Sequence, residues 1–204
     1  MAQHVSPPRN WIARRHRDDT CPVDDLTRLA LDAGDGDRQA LASFVRSSQA
    51  EVWRMCAHLV DRQSADDLTQ EVYLRAVPAL ARFRGDSSAR TWLLTITRRT
   101  CVDAIRRNVR QRRLVDRLRT HSHEDDVVAP DPADEDVRDL DDLVAGLDHD
   151  RRMAFVMTQV IGLSYGEAAE VCDVPIGTIR SRVSRARADL LDALGENGRG
   201  AVAE

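Results

Sequence analysis

Between Val174 and Arg187 the chain reads VPIGTIRSRVSRAR, and its arginines, Arg180, Arg182, Arg185 and Arg187, are separated by small residues and no acids. A guanidinium is a rigid fork of donors that matches guanine O6/N7 or two phosphate oxygens, so this set could read or grip nucleic acid. To do so the arginines must stand on a helix whose other side is anchored. At 100° per residue Ile179, Val183, Ala186, Leu190 and Leu194 fall on one stripe. Ser181, Ser184 and Ala188 lie opposite, with Arg180 and Arg187 on one flank and Arg182 and Arg185 on the other. Small outward residues let a helix enter a major groove. Residues 178–188 hold no acid that could form the usual i,i+4 pairs of a solvated face. This favours DNA binding, in which each bidentate arginine–guanine contact is worth about 1–3 kcal/mol of discrimination.

Such a helix has to be set at an angle to a second one. Ser164 and Glu167 have the spacing of a capping box, predicting a helix from about Tyr165. Asp173-Val174-Pro175 ends it, because proline lacks an N–H and biases Val174 away from helical dihedrals. A new helix starts at Pro175 or Ile176, giving a helix-turn-helix.

The first half carries a different pattern. In SADDLTQEVYLRA, residues 64–76, Ala65, Leu68, Val72 and Ala76 form a core stripe. Beside it Asp66, Asp67, Gln70 and Glu71 form an acidic ridge whose like charges at i,i+4 disfavour the isolated helix. The ridge reads either as a dock for a basic partner or as local chemistry, with Asp67 capping from Ser64 and Glu71 paired to Arg75. Further on, Trp92 offers either a stacking face or a core residue, and the arginines after it offer a track for the phosphates of a separated strand.

The supporting elements are helical throughout. Leu26, Leu29 and Ala30 begin one helix, Ala40–Leu59 forms another after the turn at 34–37, Pro78 interrupts a third, and residues 84–88 form a polar loop. Leu140, Leu143, Val144 and Leu147 predict a short amphipathic helix and Met153–Ile161 another. The expectation is an all-α chain of two small domains, 25–115 and 138–195. They are joined by an acidic linker, 116–137, and flanked by a mobile extension, 1–24, and a tail, 196–204. Thirty arginines and no lysine stand against 34 acids in 204 residues, for a net charge of −4. The average conceals blocks: nine arginines against two aspartates over 98–119, then ten acids against one arginine over 122–142. No apolar run reaches the roughly 18 residues of a membrane span, and the first residues lack a signal peptide's apolar core, so a cytoplasmic location is expected. Cys21, Cys56, Cys101 and Cys172 form no CxxC and read as buried free thiols. No metal site or cofactor is expected. A hydrolase built on His121, His123, Asp125 and Asp126 would have to hold its ligands in a linker without a scaffold.

SADDLTQEVYLRA, FRGDSSARTWLLTITRRTCVDAIRR at 83–107 and LSYGEAAEVCDVPIGTIRSRVSRARADLL at 163–191 resemble, in that order, regions 2 and 4 of the extracytoplasmic-function (ECF) group of bacterial sigma-70 factors. The resemblance implies a non-enzymatic transcription initiation factor and covers about residues 25–194. It assigns Asp66, Asp67, Leu68, Gln70 and Glu71 to docking on the β′ coiled-coil of core RNA polymerase. Arg90, Thr91, Trp92, Arg98, Arg99, Asp103, Arg106 and Arg107 fall to the −10 promoter element, with a flipped base received near 83–88. Thr178, Arg180, Ser181, Arg182, Ser184 and Arg185 fall to the −35 element. The β flap and an anti-sigma factor are further partners the resemblance suggests. The competing reading is a two-domain operator-binding regulator, whose receiver half would need the alternating strands and helices that residues 25–115 do not show.

Overall fold

The computed structural model describes residues 24–119 and 142–200, with side chains for 24–111 and 142–194. The N-terminal extension, most of the linker with its histidines, Leu140 and Cys21 lie outside these residues. The first domain comprises α1 (Asp25–Gly34), α2 (Arg38–Leu59), α3 (Ala65–Leu80) and α4 (Ala89–Arg119). The second comprises the helical residues 142–146, here α5, then α6 (His149–Phe155), a π-helical turn (Val156–Val160), α7 (Tyr165–Cys172) and α8 (Ile176–Gly200).

Side-chain caps set where these helices begin. Asp24 accepts from Thr27 N at 2.9 Å, and Asp37 accepts from Gln39 N and Ala40 N. Ser88 Oγ accepts from Thr91 N at 3.1 Å, so the polar loop ends as the N-cap of α4. Gly36, at φ 102°, makes the turn between α1 and α2. At Gly34 a Cβ would meet Leu80 O at 2.6 Å, and glycine therefore lets the end of α1 close on the end of α3.

Buried side chains form one continuous cluster through both domains. Phe44, Val52 and Met55 of α2 and Val72 of α3 are fully buried, as are Val156, Met157 and Ile179 of the second domain. Burying each such side chain contributes roughly 1.5–3 kcal/mol. Cys56, Cys101 and Cys172 are buried free thiols, as expected. Cys101 Sγ lies 3.8 Å from Cys56 Sγ, and that neighbour together with burial pushes the Cys101 thiol up.

Four expectations need correction. Helix α3 runs through Pro78, which sits in its last turn, where the carbonyl of residue 74 falls on the exposed face. Ser64 does not cap from Asp67; its N and Oγ both bond Asp61. The helix expected over Met153–Ile161 begins at His149 and widens into the π turn, where Ile161 N bonds Val156 O at 2.9 Å. Leu194, expected in the buried stripe of α8, is 49% exposed because the helix outruns the domain beneath it. Among the described residues no helix is long and apolar enough to cross a membrane.

Candidate nucleic-acid interface

Helix α8 is presented by the turn before it. Ser164 and Glu167 form the full capping box: Glu167 N donates to Ser164 Oγ at 3.2 Å and Ser164 N to Glu167 at 2.8 Å. These bonds hold the Glu167 carboxyl below its ordinary value. Asp173, at φ 56°, adopts the left-handed conformation that ends α7, and α8 follows from Ile176. Ile179, Val183, Ala186 and Leu190 are buried, so most of the expected stripe is the anchor.

The opposite face divides in two. Arg180, Ser181, Ser184 and Arg185 are exposed, and among the described residues neither Arg180 nor Arg185 has an ion pair or hydrogen bond. Thr178 is half-buried, and its carbonyl accepts from Ser181 Oγ at 2.9 Å. Arg182, by contrast, pairs with Asp150 of α6 and is only 24% exposed at its side chain. Arg187 reaches Gln159 of the π turn at 2.8 Å, and Arg151 of α6 pairs with Asp189 of α8 at 2.6 Å. Three contacts thus brace the helix from behind, and Arg182 is one of them. For Arg182 the missing acid is supplied by another helix, as Asp150 of α6, which local spacing could not reveal.

Helix α4 carries the second group. Arg90 donates three bonds to Glu51 of α2 at 2.6–3.1 Å, and Nη2 also donates to Ile161 O at 2.8 Å. The Glu51 carboxylate raises the Arg90 pKa. Thr91 is buried and bound to the Ser88 cap, so in this arrangement its side chain is a cap partner. Trp92 packs on Phe83, ring centroids 5.1 Å apart, and is half-buried. Arg98 is half-buried with its Nε enclosed. Arg99 and Arg106 are exposed. Asp103 pairs with Arg75 at 3.2 Å and Arg107 with Glu71 at 3.7 Å, tying α4 to α3.

The acidic ridge divides in the same way. Glu71 pairs with Arg75 at 2.5 Å, and Asp66 accepts from Trp53 Nε1 at 2.9 Å. Leu68 is buried, which makes it an anchor of α3 and removes it from any contact face. Asp67 and Gln70 are exposed, and among the described residues Asp67 has no ion pair.

Two arginines cross between the domains in opposite directions. Arg90 reaches the carbonyl that ends the π turn, and Arg152 of α6 donates to Leu59 O, at the end of α2, at 3.2 Å. Arg152 also reaches the Ala145 carbonyl. Both domain-crossing bonds satisfy carbonyls at helix C-termini, which lack intrahelical partners and attract cations. Burial lowers the Arg152 pKa and also that of His149, which sits near Asp148, Asp150, Arg152 and Arg98. The roles of Glu51, Asp150 and Gln159 are not readable from local spacing, since each partner is at least 28 residues away.

Comparison with known proteins fits this geometry. Residues 44–111 match the family model for sigma-70 region 2, and residues 138–190 that for sigma-70 region 4. The ECF RNA polymerase sigma factor SigC of Mycobacterium tuberculosis is 48% identical over 166 residues, covering 81% of this chain and 89% of that protein. The sigma-E factor of Escherichia coli is 32% identical over 165 residues, covering 74% and 85%. Among solved structures, RpoE of Bartonella quintana bound to the anti-sigma factor NepR aligns with a TM-score of 0.65 at 28% identity, covering 77% of this chain and 98% of that one. CnrH, solved with the cytosolic domain of CnrY, shares the fold at a TM-score of 0.66 and 23% identity, covering 85% and 99%. With both regions present in order and so close a relative over most of its length, the chain belongs to the ECF group of the sigma-70 family and is an alternative RNA polymerase sigma factor.

Proposed function

We propose a division of this activity among named surfaces. Helix α3 docks on core RNA polymerase at the β′ coiled-coil through Asp66, Asp67, Gln70 and Glu71. Asp67 contributes most, since it alone of the three acids has no internal partner among the described residues. Helix α4 follows the −10 element with Arg99 and Arg106, and Arg90 and Arg98 join once the second domain moves away. Helix α8 reads the −35 element with Arg180 and Arg185 beside Ser181 and Ser184, while the second domain meets the β flap. The observation that carries this reading is the exposed pair Arg180 and Arg185 on a helix braced from behind by Arg151, Arg182 and Arg187. A pre-organised helix spends little of its contact energy on ordering itself.

RpoE of Bartonella quintana was solved with an anti-sigma factor, and an anti-sigma partner that stabilises the closed arrangement fits this chain as well. Proteins of this kind act on polymerase in the cytoplasm, which is the location proposed here. The test is reconstitution: purified chain plus core RNA polymerase should initiate at a cognate promoter, and Asp67→Arg should weaken binding to core by more than tenfold. Full promoter-specific binding by the chain without polymerase would support an operator-binding regulator instead.

A further inference from the structure

Alongside the acidic ridge, α2 and α3 enclose a shallow groove of about 550 Å³ lined by Val45, Gln49, Tyr73, Leu74, Val77 and Pro78. Leu74 is 76% exposed and Val77 36% exposed, so the groove displays an apolar patch, unlike the scattered single leucines of an ordinary surface. It is also polar in the directional sense. One end is aliphatic, at Val45 and Val77, and the lining continues along α3 to Thr69 and Gln70, one turn short of the exposed Asp66 and Asp67.

The first residues of the chain carry the complementary arrangement. Arg9–Arg17 reads RNWIARRHR: Trp11 and Ile12 are followed by Arg14, Arg15 and Arg17, with no acid in the stretch. Val77 and Asp67 lie about 15 Å apart along α3, at 1.5 Å per residue. Ile12 to Arg17 in extended form spans about 16 Å. Apolar and basic parts therefore match the aliphatic groove and the acids one turn beyond it in one direction only.

The tether also reaches. The described chain starts at Asp24, and one turn later Thr27 Oγ1 accepts from Ala89 N at 2.8 Å. The next residue, Arg90, grips Glu51, near the middle of α2. The seven residues from Arg17 to Asp24 extend to about 25 Å, against a helix diameter of about 10 Å to be crossed.

We propose that the segment Arg9–Arg17 of this chain docks in the α2–α3 groove, Trp11 and Ile12 against Leu74 and Val77 and the arginines against Asp66 and Asp67, and so masks the polymerase-docking surface. The masking half rests on the assignment of α3 to core polymerase. A tethered segment acts at millimolar effective concentration, so even weak intrinsic affinity occupies the groove.

The experiment uses the full chain with p-benzoylphenylalanine in place of Trp11, irradiated when dilute and mapped by mass spectrometry. Intramolecular cross-links into residues 45–49 or 70–78 are expected; cross-links elsewhere, or only between chains, overturn the proposal. In parallel, Trp11→Ala with Ile12→Ala should tighten binding to core polymerase about three- to tenfold. Arg14→Glu with Arg15→Glu should do the same, with a smaller gain at high salt. A groove cross-link with unchanged core affinity overturns the masking. Asp67→Arg separates that outcome from failure of the underlying assignment, because only in the latter case does Asp67→Arg also leave core affinity unchanged.

Discussion

Helices α4 and α8 are both rich in arginine, yet they use it in opposite ways. On α4 Arg90 is consumed by Glu51 and by the carbonyl of the neighbouring domain, and Arg98 is half-enclosed at the same junction. On α8 the central pair, Arg180 and Arg185, faces outward, and the arginines around it act as struts. A guanidinium becomes a strut when another element brings a carboxylate or a free carbonyl within about 3 Å, and stays available for an outside partner when none does. On the proposed assignment, the second domain presents its reading face in the closed arrangement, whereas the first has to open to use all of its own.

The largest effect should come from the outward pair. Arg180→Ala with Arg185→Ala removes two contacts of about 1–3 kcal/mol each, nearly additively, so transcription from a matched −35 element should fall at least tenfold, and by up to a thousandfold or more. The loss should shrink on promoters already mismatched at those bases; an equal loss on every −35 sequence would make the pair phosphate contacts and dissolve the contrast with α4. Next comes Arg90→Ala. It strands Glu51, only 18% exposed at its side chain, and releases Ile161 O, and charged hydrogen bonds of this kind are worth about 1.5–3 kcal/mol. Thermal stability should drop, and a fluorescence-transfer pair on α4 and α7 should report domain separation. Unchanged separation would show that Arg90 staples only within its own domain.

Much of this was legible because it was local. The Ser164–Glu167 box, the break at Asp173-Val174-Pro175 and the stripe Ala65, Leu68, Val72, Ala76 depend on residues within a few turns of one another, and each formed as the spacing required. The strut roles of Arg90, Arg182 and Arg187 were not legible, because Glu51, Ile161, Asp150 and Gln159 are distant in sequence. Nor was the π turn, because the buried residues Met153, Val156, Met157 and Ile161 also have the spacing of an ordinary α-helix. Leu194 failed for a related reason: periodicity identifies the face of a helix but not where the packed partner beneath it stops. Pro78 showed that a helix breaker breaks little in a last turn whose affected carbonyl faces outward.

Arg182→Ala sharpens the comparison at smaller scale. Its pair with Asp150 has one partner 57% exposed, which limits it to about 0.2–1 kcal/mol. The expected outcome is a slight loss of second-domain stability and an equal, mild loss of activity on all −35 sequences, matched by Asp150→Ala. A sequence-dependent loss from Arg182→Ala alone would move it from strut to reader.

The smallest effect should be the dependence on pH at the junction. Burial holds the His149 pKa below its ordinary value, and Arg152 and Arg98 lower it further against the opposing pull of Asp150 and Asp148. Well above about pH 6.5 the ring is neutral in folded and unfolded chains alike, so it imposes no penalty. As pH falls below that point the unfolded chain takes up a proton that the folded chain resists, and stability is lost until the folded group titrates as well. Stability should therefore decline as pH falls through about 6.5, by a step that His149→Gln removes. Because Arg98 belongs to α4 and His149 to α6, part of the lowering exists only while the domains touch. Arg98→Ala should raise the His149 pKa slightly, as followed by imidazole proton shifts. An unchanged titration would mean that the Arg98 charge does not reach the ring and that acid acts on the second domain alone, leaving the α4 arginines held.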